Sequence, residues 1–143
     1  AAVIESSSCL IIPGAIRSLA NRPVEKELPI FSDGGHLLND PKNPYHPHYE
    51  GDEDTRRKPA YHNGTAWAWP FPSYAEALLK LYGDDAKETV ISLLHSSRVL
   101  YDTGCVGQLP EVLDGSTPHT PRGCDAQAWS VTELIRVLDL AQS

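Results

Sequence analysis

Two short stretches of this 143-residue chain hold side chains suited to chemistry. The first is YHNGTAWAWPFP, Tyr61 to Pro72, which sets two tryptophans, a tyrosine, a phenylalanine, a histidine and an asparagine in twelve positions. A packed core has no use for His-Asn-Gly-Thr, and a solvent loop has none for Trp-Ala-Trp. Small-ligand sites are largely apolar with a few placed polar groups. Trp67 and Trp69 can offer ring faces to the apolar side of a sugar, while His62, Asn63 and Thr65 offer hydrogen bonds to its hydroxyls. The competing reading is that the tryptophans fill space between helices, and for Trp69 and Trp129 the two readings stand level. The second stretch is QLPEV, in which Glu111 follows Pro110 and sits between apolar residues. Proline restrains the backbone, and a carboxylate held on a loop between helices can serve as a general base. An exposed loop glutamate is the simpler reading of the local sequence alone.

Other clusters carry less. Asp52, Glu53 and Asp54 lie beside Arg56, Arg57 and Lys58, a pattern of solvated charges or of salt bridges tying down a loop. Arg57 and Asp54 could also hold sugar hydroxyls. His46 and His48, with Glu50 and His62, are ordinary metal-ligand types. Pro47 separates the first two, however, and no third ligand has a characteristic spacing, so neither a metal nor a cofactor is expected. Asn63-Gly64-Thr65 is a glycosylation sequon, which means nothing without a secretory signal.

Composition bounds the rest. The chain is 41% hydrophobic and 22% charged, which places it with globular rather than disordered proteins. A net charge of −7 argues against a nucleic-acid or anionic-membrane surface. The longest apolar run, Cys9 to Ile12, is too short to cross a membrane. Cys9, Cys105 and Cys124 never form a C-x-x-C pair, which suits a reducing compartment and leads to a cytoplasmic expectation.

The elements that must position these residues read as helices. Ser73–Tyr82 lies between Pro72 and Gly83, in the usual order of breakers. Ala86–Asp102 follows an Asp85…Glu88 pair resembling a capping box and stops at Gly104. Asp125–Gln142 carries apolar residues on more than one face, which predicts burial on two sides. A weaker fourth helix spans Pro13–Asn21. No alternating run of strand length appears, so an all-α chain is expected. Between Pro23 and Phe71 lie seven of the twelve prolines and little periodicity. Ordered domains seldom carry so long a loop without a function, and its aromatics argue against plain disorder. Gly104–Cys124 is a second loop of functional length.

Taken together, the two loops resemble the amylo-α-1,6-glucosidases, the glucosidase part of glycogen debranching enzymes. YHNGTAWAWPFPSYAEALLKLYG and GQLPEVLDGSTPHTPRGCDAQAWSVTELIRVL carry the resemblance, and GDEDTRRKPAYHNGT joins the first continuously. It covers roughly Gly51 to Leu140. The resemblance implies an (α/α)6 barrel, of which residues 1–143 would be the C-terminal portion, a fragment or single domain. The absence of methionine and the alanine at position 1 fit a piece of a longer polypeptide. The resemblance further implies that Glu111 is the general base of an inverting hydrolysis. Tyr61, His62, Asn63, Thr65 and Trp67 match the family's pocket wall, joined by Trp69 as a substrate-binding candidate, and Gln127, Ala128 and Trp129 match the helix start beside the base. The implied partner is an α-glucan such as glycogen or a limit dextrin. The family's general acid is an aspartate in an earlier segment with no match here, so the isolated chain is expected to be inactive. It is also expected to self-associate or to pair with the missing half of the barrel. Two readings compete with a debranching glucosidase: a non-catalytic glucan-binding module using the same aromatics, and a small metal-dependent enzyme using the histidines.

Overall fold

Ile11, Ile12 and Ile16 are β-branched and flank Pro13-Gly14, whose glycine has φ +75°. Proline followed by a left-handed glycine reverses the chain, and a β-hairpin results. In this computed structural model, which describes residues 8–143, strand β1 (Ile11–Ile12) pairs with β2 (Ala15–Arg17). The positive φ favours glycine there, and a side chain would also crowd Leu100 Cδ1 at 2.8 Å. Three more strands follow: β3 (Ala66–Trp67), β4 (Val112–Leu113) and β5 (Pro121–Arg122). They form one antiparallel sheet in chain order, with Ile16 opposite Trp67, Ala66 opposite Leu113, and Val112 opposite Arg122.

This sheet overturns the expectation of an all-α partial (α/α)6 barrel. Among the described residues the fold is mixed, with three main helices beside five strands. Each strand has two or three residues, too few to express a period of two, and the pairings that join β2 to β3 and β3 to β4 link residues far apart in sequence. The helix expected over Pro13–Asn21 is replaced by β2 and the irregular chain after it.

The three longer helices lie close to their expected places. Helix α1 (Pro70–Tyr82) begins three residues early, because proline costs nothing at the first helical position, where the N–H is unpaired anyway. Gly83, at φ +60°, ends it. Helix α2 (Lys87–His95) is shorter than expected, and its continuation tightens into a 3-10 turn over Ser96–Leu100. Asp85 does not cap it; Ala86 stands at the cap without a side-chain bond. Helix α3 (Ala128–Gln142) buries one stripe only, Ser130, Leu134, Val137 and Ala141, at the i, i+4, i+7, i+11 spacing of a single face. Ile135 and Leu140 face outward, at 60% and 43% exposed, so the helix is not buried on two sides.

The core joins both layers. Phe71 and Ala75 of α1, Val90 and Leu94 of α2, and Leu134, Val137 and Ala141 of α3 share one cluster with Ile12, Ala15, Ala66 and Leu113 of the sheet. Outside it, Glu76 of α1 binds Arg136 of α3 at 2.6 Å and Lys80 at 2.7 Å. These bonds, Arg136 first and Lys80 second, hold the Glu76 carboxyl down at about 2.

The long irregular segment is ordered by backbone pairing. Val24 and Leu28 bond back to Lys42 and Pro41, and Phe31 bridges Leu37. Further on, residues 45–49 lie between two parts of the site. His46 N donates to Asn63 O at 2.6 Å, Gly115 N to Pro47 O at 2.7 Å, and Tyr49 N to Asp114 Oδ1 at 2.8 Å. The approach leaves no room for side chains. A Cβ at Gly64, where φ is +147°, would meet the His46 backbone, and one at Gly115 would run into the Gly64 carbonyl oxygen.

Two outcomes follow. Overpacking ordinarily costs about 1–3 kcal/mol, and at Gly115 the obstacle is backbone, so Gly115→Ala is expected to destabilise by about 3 kcal/mol or more, read as a fall in denaturant midpoint. An unchanged midpoint would show the approach is soft. For Glu76, the folded carboxyl titrates below its ordinary 4.5, so its contribution is complete above that pH and lost as pH falls toward 2. Thermal melts of wild type and Glu76→Gln should therefore differ at pH 7 and converge near pH 2.

Candidate functional site

The turn before the site is built by its own polar side chains. Asp52 accepts from Asp54 N, Thr55 N and Thr55 Oγ1, and caps a helical turn over Glu53–Arg57. A short helical turn at Lys58–Ala60 follows and delivers Tyr61. Thr65 Oγ1 then donates to Tyr61 O at 2.7 Å and accepts from the Trp67 indole at 3.1 Å. Tyr61 is boxed by rings: Tyr49 at 5.4 Å, His62 at 4.6 Å and the edge of Trp67 at 4.9 Å. His62 stacks on Trp67, nearly parallel at 5.3 Å.

Glu111 enters from the opposite loop, just before β4. Its own N–H donates to Cys124 O at 2.9 Å, and Cys124 N returns a bond to Glu111 Oε2 at 3.1 Å. The other carboxylate oxygen, Oε1, accepts from the Tyr61 hydroxyl at 3.0 Å. Burial, with that carboxylate second, pushes the Tyr61 phenol above its ordinary value, so the hydroxyl keeps its proton and donates. Behind the loop, Ser130 Oγ bonds Pro110 O and Gln127 N bonds Leu109 O. The start of α3 therefore holds the carboxylate's backbone.

Tyr61, His62, Trp67 and Glu111 line a cleft of about 490 Å³, together with Ile16, Arg17, Ser18, Trp69, Pro70, Gln127 and Trp129. Trp69 and Trp129 stand at a 37° tilt, 5.7 Å apart, and are 40% and 50% exposed. Their rings are thus available to a ligand, whereas Trp67 is almost fully buried and forms a wall. A larger hollow of about 630 Å³ lies on the other side of Tyr61 and His62, lined by Tyr49, Asp54, Arg57, Lys58 and Asn63. It does not include Glu111, so the smaller cleft is the one with a candidate catalytic group.

Of the residues singled out in the sequence, the fold brings Tyr61, His62, Trp67, Trp69, Glu111, Gln127 and Trp129 into this one cleft. Asn63 and Thr65 do not line it. The Asn63 amide donates to Pro59 O, and Thr65 is buried beneath Tyr61. The sequence offered no signal for Ile16, Arg17 and Ser18, because the segment reads as a helix whereas β2 and its continuation carry them to the cleft. Arg17 is anchored there by Gly115 O at 2.6 Å. Asp114 is committed elsewhere. Burial pushes its carboxyl up, but the bonds from Arg122, Tyr49 N and His48, with the Arg122 charge, outweigh that and leave it below its ordinary range. Among the described residues, no group of three or more His, Cys, Asp or Glu side chains could hold a metal ion. Nor is any helix among them long and apolar enough to cross a membrane.

No solved structure matches the chain. A family model, described as amylo-alpha-1,6-glucosidase, matches residues 31–136. That span holds the ring box around Tyr61, Glu111 with its Cys124 partner, and both exposed tryptophans. With so much of its length accounted for, including the carboxylate and most of the aromatic cleft, the chain belongs to the amylo-alpha-1,6-glucosidase family.

Proposed function

We propose that the cleft binds the α-1,6-linked glucosyl stub of an α-glucan, and that Glu111 is the general base of its inverting hydrolysis. The observation that carries this reading is the Glu111 carboxylate, held at both oxygens while lining an aromatic cleft. Trp69 and Trp129 stack against the apolar faces of sugar rings, and His62 and Gln127 supply polar contacts to hydroxyls. Glu111 takes a proton from a water on the face opposite the leaving oxygen. That water's oxygen bonds to the anomeric carbon as the bond to the glucan's 6-oxygen breaks, and a general acid protonates the leaving oxygen.

Inversion needs two carboxyls roughly 6.5–9.5 Å apart. Among the described residues, Glu111 is the only carboxylate lining the cleft. The acid is therefore assigned to a segment beyond these residues, and the 143-residue chain by itself should bind glucan without turning it over. The same observation favours a second reading, a glucan-binding module with no catalysis. The free polar thiols at Cys105 and Cys124, both exposed, support placing the protein in a reducing cytoplasm.

The two readings part on Glu111→Gln, made in the complete glucosidase carrying this sequence and assayed on a limit dextrin bearing single α-1,6 glucosyl stubs. Glutamine keeps the shape but takes no proton, so kcat should fall about a hundred- to ten-thousand-fold with KM little changed. Near-normal turnover would remove Glu111 from the mechanism. Separately, Trp129→Ala in the 143-residue chain should weaken maltooligosaccharide binding about 2- to 10-fold, the scale of one ring–ligand stacking contact. Unchanged affinity by calorimetry would place the sugar elsewhere.

A further inference from the structure

Tyr61 reads from sequence as one more ring in a sugar-binding wall. Its surroundings assign it another task. Three rings close around it, at 5.4, 4.6 and 4.9 Å. Its carbonyl is tied to Thr65, which is itself held by the Trp67 indole. A side chain fixed this thoroughly has one polar atom, and that atom donates to Glu111 Oε1 at 3.0 Å. From the other side, Cys124 N reaches Oε2 at 3.1 Å. That second bond depends on Gly123, which has φ +68° and where a Cβ would stand 2.7 Å from Oε2.

We propose that Tyr61 is a positioning residue for Glu111: its hydroxyl, with Cys124 N–H on the far oxygen and the bare backbone of Gly123 between, sets the orientation in which the carboxylate meets water. This inference rests on Glu111 being the general base. Each carboxylate oxygen can accept more than one hydrogen bond, so both donors can hold the group while a lone pair remains for the water's proton. Misplacement by about 1 Å costs on the order of a hundred-fold in rate, so an unanchored carboxylate on a loop would be a poor base. Burial, with the Glu111 carboxylate second, raises the Tyr61 phenol above its ordinary value, so the hydroxyl keeps its proton at neutral pH and donates. Tyr61 thus acts through Glu111 and not on the sugar.

The decisive experiment is a double-mutant cycle in the complete glucosidase, with Tyr61→Phe, Glu111→Gln and the pair, on the same branched dextrin. Phenylalanine keeps the ring and its three neighbours and removes only the donor. The expected result is a fall in kcat of about ten- to a hundred-fold, the scale of a hydrogen bond to a charged group. KM and maltooligosaccharide affinity should stay within about two-fold. In the Glu111→Gln background, Tyr61→Phe should change the residual rate by less than about two-fold, because the group it positions no longer takes a proton. A wall residue would instead raise KM and add its loss in both backgrounds. Gly123→Ala approaches the carboxylate from the opposite oxygen and decides the matter if the Tyr61 variant proves unstable: it should lower kcat while leaving affinity near normal. Wild-type kcat in the folded variants, with Glu111→Gln inactive, overturns the positioning role and leaves the base assignment standing. Normal turnover in Glu111→Gln overturns both.

Discussion

The site depends on a place where three backbones touch. Residues 45–47 pass between Asn63-Gly64 on one side and Gly115 on the other, bonded to both. Neither glycine has room for a Cβ. Only bare backbone can approach so closely, and that closeness joins the aromatic segment to the β4–β5 hairpin. Together with the β3–β4 pairing of Trp67 with Val112, it brings together Tyr61 and Glu111, fifty positions apart. Arg17 joins the same point, since its guanidinium donates to the Gly115 carbonyl and carries β2 to the cleft.

Around this junction the charges settle into roles. Asp114 is buried and bonded by Arg122 and Tyr49 N–H, with His48 3.6 Å away, which locks the far side of the passing segment. Burying an unpaired carboxylate would be costly, and the ring of donors offsets that. Asp52 is spent on capping its turn. Glu111 differs from both. It too has donors on each oxygen, but they come from a tyrosine hydroxyl and a backbone N–H, so no cation neutralises it. A carboxylate held by neutral donors at the edge of an aromatic cleft differs in that from Asp114, which Arg122 pairs.

The sheet is a consequence of the same geometry more than a scaffold with a pattern of its own. Its strands are two or three residues long and pair Ile16 with Trp67 and Ala66 with Leu113 across long separations. Their role is to hold loops side by side, and the helices supply the core beneath. The apolar residues left on the outside of α3, Ile135 and Leu140, show that its one buried stripe does not use all its hydrophobic surface.

Local chemistry already specified a good deal. The places of α1, α2 and α3 are legible in apolar spacing and breakers, because helix periodicity involves residues close together in the chain. The unusual company of Tyr61–Trp69 drew attention to the stretch that lines the cleft, whereas Glu111 reads locally as an exposed loop glutamate and only the family resemblance put it forward. The boundaries of α2 and its capping were not legible, because Asp85 competes with a 3-10 turn that no local pattern announces. The sheet was hidden for a related reason: a two- or three-residue strand has no period, and the pairings that assemble the sheet around β3 join distant segments. So was the division of labour inside YHNGT. Residue types alone put Asn63 and Thr65 on the wall with His62, whereas packing turns Asn63 to Pro59 and buries Thr65 under Tyr61. The bond from Tyr61 to Glu111 belongs wholly to the fold: it joins two loops that the β3–β4 pairing and the bare backbones of Gly64 and Gly115 hold together, and it leaves no trace in the chain neighbours of either residue.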